Sequence, residues 1–164
     1  MATESIKVGQ DAPAFSLPDQ YGRMASLTDY KGEWVALYFY PKDDTPGCTT
    51  EACEFSSELK QFENAGAVIL GVSPDTADSH MQFAGKHDLK LRLLSDPMHT
   101  VLETYGAWGD KTIQGKKTQG VIRSTVLIDP QGRVAFHWPD VKPEGHASEV
   151  RQKIVELKSK SMAA

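Results

Sequence analysis

The run Trp34-Val-Ala-Leu-Tyr-Phe-Tyr40, closed by Pro41, constrains this chain more than any other stretch. Seven consecutive apolar and aromatic residues are too costly to leave in water and too few for a buried helix. They read as a central strand covered on both faces. The segments that follow supply the cover. After the turn at Pro41 to Gly47, a helix is expected to about Ala65, where Gly66 stops it. Ala52, Phe55, Leu59 and Phe62 recur along it at three- and four-residue spacing. Thr45 is placed as its N-cap and Pro46 as its first residue.

The rest of the chain repeats the alternation. Val68–Val72 reads as a buried strand, and Ser73-Pro74-Asp75 opens a helix to about His87. Leu91–Leu94 reads as a third strand, and Asp96-Pro97 starts a helix to Tyr105. Residues 106–120 are expected to be a loop containing Gly and Lys. Val121–Ile128, the turn Asp129–Gly132 and Val134–Trp138 form a hairpin. A closing amphipathic helix turns Val150, Ile154 and Leu157 inward. Residues 8–30, rich in Gly, Pro and Asp, form a hairpin-like lead-in. The expectation is an α/β layered fold with a mixed sheet, one domain over residues 1–164.

Charge and composition remove whole classes of function. Hydrophobic residues are 40% of the 164 and charged ones 24%, as in an ordinary globular protein, and the formal net charge is −4. A nucleic-acid partner is not expected, because such a domain shows a basic face. The three lysines between Lys111 and Lys117 read as a solvated loop. No apolar run reaches the ~18 residues that span a bilayer, and residues 1–7 lack the apolar stretch of a secretory signal. The expectation is a cytoplasmic protein, a removed organellar targeting segment aside. Two cysteines, Cys48 and Cys53, are too few for a disulfide scaffold and point to redox or catalytic use.

Cys48 falls on the third residue of the helix capped at Thr45. The N–H groups there have no intrahelical partner, and the helix dipole adds roughly half a positive charge. Both favour the thiolate, which is the form that attacks. At 100° per residue, Cys48 lies within about 40° of the apolar stripe, so its side chain faces the sheet. Such a position also suits an inert packed cysteine. A second residue bears on the choice. In Val121–Ile128 both alternating faces are largely apolar, which leaves Arg123 hard to explain at the surface. A buried guanidinium needs anionic partners, and the Cys48 thiolate and Glu51 are at hand. A strand-end arginine reaching solvent is the other reading.

Pro41-x-x-x-Thr45-x-x-Cys48 resembles the active-site loop of the peroxiredoxins, with Arg123 where their second-strand arginine stands. Val8–Leu17, Tyr38–Pro41, Leu94–Pro97 and Tyr105–Gly109 resemble the same family, and Cys48-x-x-x-x-Cys53 is similar to its bacterioferritin-comigratory, or peroxiredoxin Q, subgroup. The resemblance implies a thioredoxin-like three-layer fold and a thiol peroxidase acting on hydrogen peroxide and organic hydroperoxides. It implies that Cys48 is the peroxidatic nucleophile and Cys53 the resolving cysteine. Thr45 would hydrogen-bond thiolate and peroxide, Pro41 would shield the site, Arg123 would stabilise charge and Glu51 would orient Arg123. It further implies a monomer recycled by thioredoxin or a similar dithiol, with no metal, haem or flavin. Phe39 and Trp108 are candidates to admit an alkyl group.

Geometry adds a constraint on the cysteine pair. Five residues along an ideal helix rise about 7.5 Å and turn about 140°, leaving the Cα atoms about 8.6 Å apart. Disulfides rarely exceed about 7 Å, so the pair closes only if the helix unwinds. The sequence is also open to three rival readings. A thiol–disulfide oxidoreductase is disfavoured because Cys-x-x-Cys is absent. A non-enzymatic redox sensor would oxidise once without turnover. A metal site built from the cysteines with His80, His87, His99, His137 or His146 lacks zinc-type histidine spacing, which leaves those histidines as surface or packing residues.

Overall fold

The structure, a computed structural model, describes residues 6–163. Its main sheet has five strands in the order β5-β4-β3-β8-β9. The central strand β3 (Trp34–Phe39) is buried at every residue. It runs parallel to β4 (Ala67–Ser73), which runs parallel to β5 (Arg92–Ser95). On its other edge β3 pairs antiparallel with β8 (Ser124–Ile128), and β8 pairs antiparallel with β9 (Val134–Trp138). The sheet is mixed, as expected.

Two crossovers step from β3 to β4 to β5 in one direction, and right-handed connections then place their helices on a single face. That face carries α1 (Pro46–Ser57), α2 (Leu59–Asn64), α3 (Ala77–Lys86) and α5 (His146–Ala163). Phe55, Phe62, Phe83, Val150 and Ile154 pack there against Ala36, Tyr38 and Leu127. Each buried phenylalanine of that cluster stabilises the layer by about 1.5–3 kcal/mol. The opposite face is covered by the hairpin of β1 (Ser16–Pro18) and β2 (Met24–Ser26) and by α4 (Thr100–Thr104). Phe15, Leu17, Val101, Leu102 and Tyr105 meet Val35, Leu37 and Phe39 there.

Four expectations need correction. The helix expected to run to Ala65 breaks at Glu58, whose backbone leaves helical geometry at φ −99° and ψ 5°. Ser57 Oγ donates to the Glu54 carbonyl at 2.9 Å, the local competition that often bends helices at serine pairs. Residues 106–120 are not a loop but an antiparallel hairpin, β6 (Trp108–Ile113) and β7 (Lys116–Val121). Its two-residue turn, Gln114-Gly115, has φ of 51° and 78°, the left-handed pair that matches strand twist. The fourth helix starts at Thr100 rather than Asp96, because His99 takes φ 60°; Asp96 instead accepts from Leu102 N at 2.8 Å. Finally, β8 begins at Ser124, so Arg123 lies in the short joint between β7 and β8 and not within a strand.

Candidate active site

The chain leaves β3 at Phe39, crosses Tyr40 and Pro41, and re-enters helix at Pro46. The site therefore sits beyond the carboxyl end of a central strand, where α/β sheets collect their functional loops. Thr45 has the extended N-cap backbone, φ −88° and ψ 156°, and Pro46 follows at the start of α1. Its hydroxyl does not cap the helix; it donates to Lys42 O at 2.9 Å. The first N–H groups of α1 are left for another acceptor.

Cys48 is buried, 1% exposed, on the inner face of α1 beside Ala52 and Phe55. Arg123 reaches across from the β7–β8 joint. Its Nη2 donates to Cys48 Sγ at 3.3 Å and its Nη1 donates to Glu51 Oε1 at 2.6 Å. Both ends of the guanidinium are engaged, one by sulfur and one by carboxylate. Glu51 has no solvent exposure and its Oε2 has no partner among the described residues. Burial pushes the Glu51 carboxyl up to about 7, against the opposing pull of Arg123.

Gly47 makes room for the guanidinium. A Cβ at that position would stand 3.2 Å from Arg123 Nη2 and 3.3 Å from Pro143 Cγ. Beneath α1, the Tyr38 ring stacks on Phe55 with centroids 4.6 Å apart. Gly71 leaves space for that ring, since a Cβ there would lie 2.8 Å from Tyr38 Cζ. The Tyr38 hydroxyl is buried without a partner among the described residues, and burial raises its pKa well above the ordinary value.

Of the residues singled out from the sequence, Cys48, Glu51 and Arg123 come together in one contact group. Pro41 is half-buried at the strand exit. Cys53 lies on the outer, exposed face of the same helix, and both cysteines are free. Phe39 is sealed in the second core against Tyr105 and Trp108 stacks on His99, so Phe39 does not line an opening for substrate. Asp43 was not singled out from the sequence; His80, read there as a surface or packing residue, is buried and hydrogen-bonded to it at 2.7 Å. His146, read in the same way, is buried with Nε2 2.8 Å from Thr125 Oγ1. The signal for His80 was its three- and four-residue spacing from Phe83 and Ala84 on the inner face of α3. No helix among the described residues is long and apolar enough to cross a membrane.

A buried cysteine in the first turn of a helix, 3.3 Å from the guanidinium of a half-buried arginine, is an arrangement suited to thiol-based redox chemistry, here on a thioredoxin-like α/β fold. Residues 8–137 match the model of the AhpC/TSA family. The chain is 52% identical to a putative peroxiredoxin Bcp of Coxiella burnetii, over 89% of this chain and 97% of the relative. It is 44% identical to peroxiredoxin Bcp of Bacillus subtilis, over 95% and 99% of the two chains. Among solved structures it resembles the bacterioferritin comigratory protein of Xanthomonas campestris, with TM-score 0.85 and 36% identity over 92% of this chain and 98% of the other. A PrxQ mutant of Xylella fastidiosa gives TM-score 0.87 and 36% identity over 95% and 98%. The chain belongs to the AhpC/TSA family, in its Bcp/peroxiredoxin Q branch. It is a thiol peroxidase, reducing peroxides through a cysteine.

Proposed function

We propose that Cys48 is the cysteine that reduces the peroxide and that Cys53 resolves the product. The observation that carries this reading is the 3.3 Å approach of Arg123 Nη2 to a buried Cys48 Sγ at the N-terminus of α1. The thiolate attacks the terminal peroxide oxygen; an S–O bond forms as the O–O bond breaks, and the departing oxygen takes up a proton and leaves as alcohol or water. Cys48 is left as a sulfenic acid. Arg123 stabilises the thiolate and the charge that develops on the departing oxygen. Glu51, through its 2.6 Å bond to Nη1, fixes the guanidinium. Thr45 must release Lys42 O to offer its hydroxyl to peroxide, and Pro41 keeps bulk water from the sulfur. Hydrogen peroxide and organic hydroperoxides are the proposed substrates; the related Xanthomonas protein is described for alkyl peroxide reduction.

Resolution requires α1 to open. Cys48 faces inward and Cys53 outward on a formed helix, too far apart to bond by about 1.5 Å or more. Oxidation itself loosens the first turn, because a neutral sulfenic acid no longer attracts Arg123 as the thiolate does. The far end of α1 stays anchored: Glu54 Oε1 accepts from Gly145 N at 2.8 Å, and Arg151 Nε donates to Glu58 Oε1 at 2.6 Å. Unwinding is thereby confined to roughly the first two turns. The Cys53 thiolate then attacks the Cys48 sulfur; the S–S bond forms as the S–O bond breaks, and the departing hydroxide takes up a proton and leaves as water. Thioredoxin or a similar dithiol returns two electrons by thiol–disulfide exchange. The protein is proposed to act as a cytoplasmic monomer.

Peroxide consumption driven by thioredoxin, its reductase and NADPH tests the scheme. Cys48→Ser should abolish it. Cys53→Ser should lose turnover yet allow a single oxidation of Cys48. Full activity in Cys48→Ser would overturn the assignment.

A further inference from the structure

The loop between β3 and α1 carries two adjacent carboxylates, and α3 takes up both. Asp43 is buried: its carboxylate accepts from Tyr40 OH at 2.7 Å and from Ser79 Oγ at 2.8 Å, and shares a hydrogen bond with His80 Nδ1 at 2.7 Å. Its backbone N–H donates to Asp75 Oδ2 at 2.8 Å, which Ser73 Oγ also reaches at 2.6 Å. Asp44 stands at φ 61°, a strained conformation for a residue with a Cβ. Its carboxylate accepts from Lys86 Nζ at 2.6 Å and from His87 Nε2 at 2.8 Å.

His80 is the hub of the buried half. Its side chain has no solvent exposure. Nε2 lies 2.9 Å from the Leu94 carbonyl, which can only accept, so Nε2 carries a hydrogen. Nδ1 faces the Asp43 carboxylate at the same time, and the contact needs a shared proton. The imidazole therefore ties the loop to the end of β5 through its two ring nitrogens. Asp43, Asp75 and His80 could also be read as a metal cluster, but their polar atoms are already spent on one another and on the serines.

Burying such a group is not an efficient way to gain stability, since desolvation offsets most of the attraction. Its consequence is geometric. The backbone from Pro41 to Thr45 is pinned at its middle, and the pinned segment ends at the N-cap of α1. Neither Asp43 nor His80 makes a hydrogen bond to Cys48 or Arg123. We infer that His80 is a positioning residue for peroxide reduction: through Asp43 it holds the Pro41–Thr45 loop in the arrangement that presents peroxide to Cys48. This rests on the assignment of Cys48 as the peroxide-reducing residue.

Two polar variants of similar size separate positioning from general damage. His80→Asn can keep an amide N–H on Asp43, in the place of Nδ1. His80→Gln can keep one on Leu94 O, in the place of Nε2, and releases Asp43. Two rates are measured on reduced protein: single-turnover oxidation of Cys48 by hydrogen peroxide, and alkylation of Cys48 by iodoacetamide. The expected result is a peroxide rate near wild type for His80→Asn and about ten-fold or more lower for His80→Gln, with alkylation changed less than about two-fold in both. Equal peroxide rates in the two variants, or a parallel fall of both rates in His80→Gln, would overturn the inference. Wild-type Cys48 failing to react with peroxide would instead overturn the reading beneath it.

Discussion

Arg123 Nη2 stands 3.3 Å from Cys48 Sγ, although the two residues are 75 positions apart in the chain. The contact joins the first turn of α1 to the joint before β8, so it exists only in the folded protein. In the proposed cycle it links sulfur chemistry to helix order: the cation beside the sulfur also pins the turn that has to open before Cys53 can reach Cys48.

Arg123→Lys should lower the rate of Cys48 oxidation by peroxide by about two orders of magnitude. A lysine is a point charge and cannot bridge sulfur and the Glu51 carboxylate as the planar fork does. Single-turnover oxidation kinetics check this, and a rate within two-fold of wild type would remove Arg123 from the mechanism.

Gly47→Ala should act through Arg123 without touching the reacting atoms. The added Cβ meets Nη2 at 3.2 Å, tight enough to shift the guanidinium by a few tenths of an ångström. A several-fold loss of peroxide rate with a melting temperature within about 2 °C of wild type is expected. Unchanged kinetics would mean the guanidinium relocates without consequence.

Glu51 makes stability depend on pH. Burial pushes its carboxyl to about 7 from an ordinary 4.5, so between those values the folded protein holds a proton that the unfolded chain has released. This contribution is fully present below about pH 4.5 and is lost as pH rises through about 7, a change of at most about 3 kcal/mol. Glu51→Gln has no such proton. Urea unfolding of both proteins across this range should show a wild-type decline that the variant lacks; parallel curves would contradict the buried-carboxyl account.

The anchors at the far end of α1 set how far it unwinds. Glu58→Ala removes the bond to Arg151, and hydrogen exchange in the oxidised protein should then extend beyond Glu54 toward Phe62. In wild type, residues 46–54 should lose protection on oxidation while Phe55 and Phe62 keep theirs. Equal protection of residues 46–56 in reduced and oxidised wild type would rule out the unwinding step.

What the sequence made legible was periodic or chemically rare. The apolar run at Trp34–Tyr40 announced the central strand, and the stripe that begins at Ala52 and Phe55 announced the helix that carries Cys48. Arg123 was conspicuous because so few cations occur in an apolar stretch; charge balance made Cys48 and Glu51 its candidate partners beside the alternative of a strand-end arginine reaching solvent. The hairpin at Trp108–Val121 stayed hidden because its lysines and threonines carry no apolar alternation, and its turn signal is a single glycine. The break at Glu58 depends on one serine hydroxyl and a distant arginine. The contact between Asp43 and His80 was not legible because a lone Asp in a loop and a lone His on a helix carry no pairing signal until tertiary packing brings them to 2.7 Å.

The most direct test of the central claim is to oxidise Cys53→Ser with one equivalent of hydrogen peroxide, trap with dimedone and map the adduct by mass spectrometry. The account requires one adduct, on Cys48, and none when Arg123→Lys is combined and the exposure is kept short. An adduct elsewhere, or no adduct on Cys48 after full peroxide consumption, would contradict it.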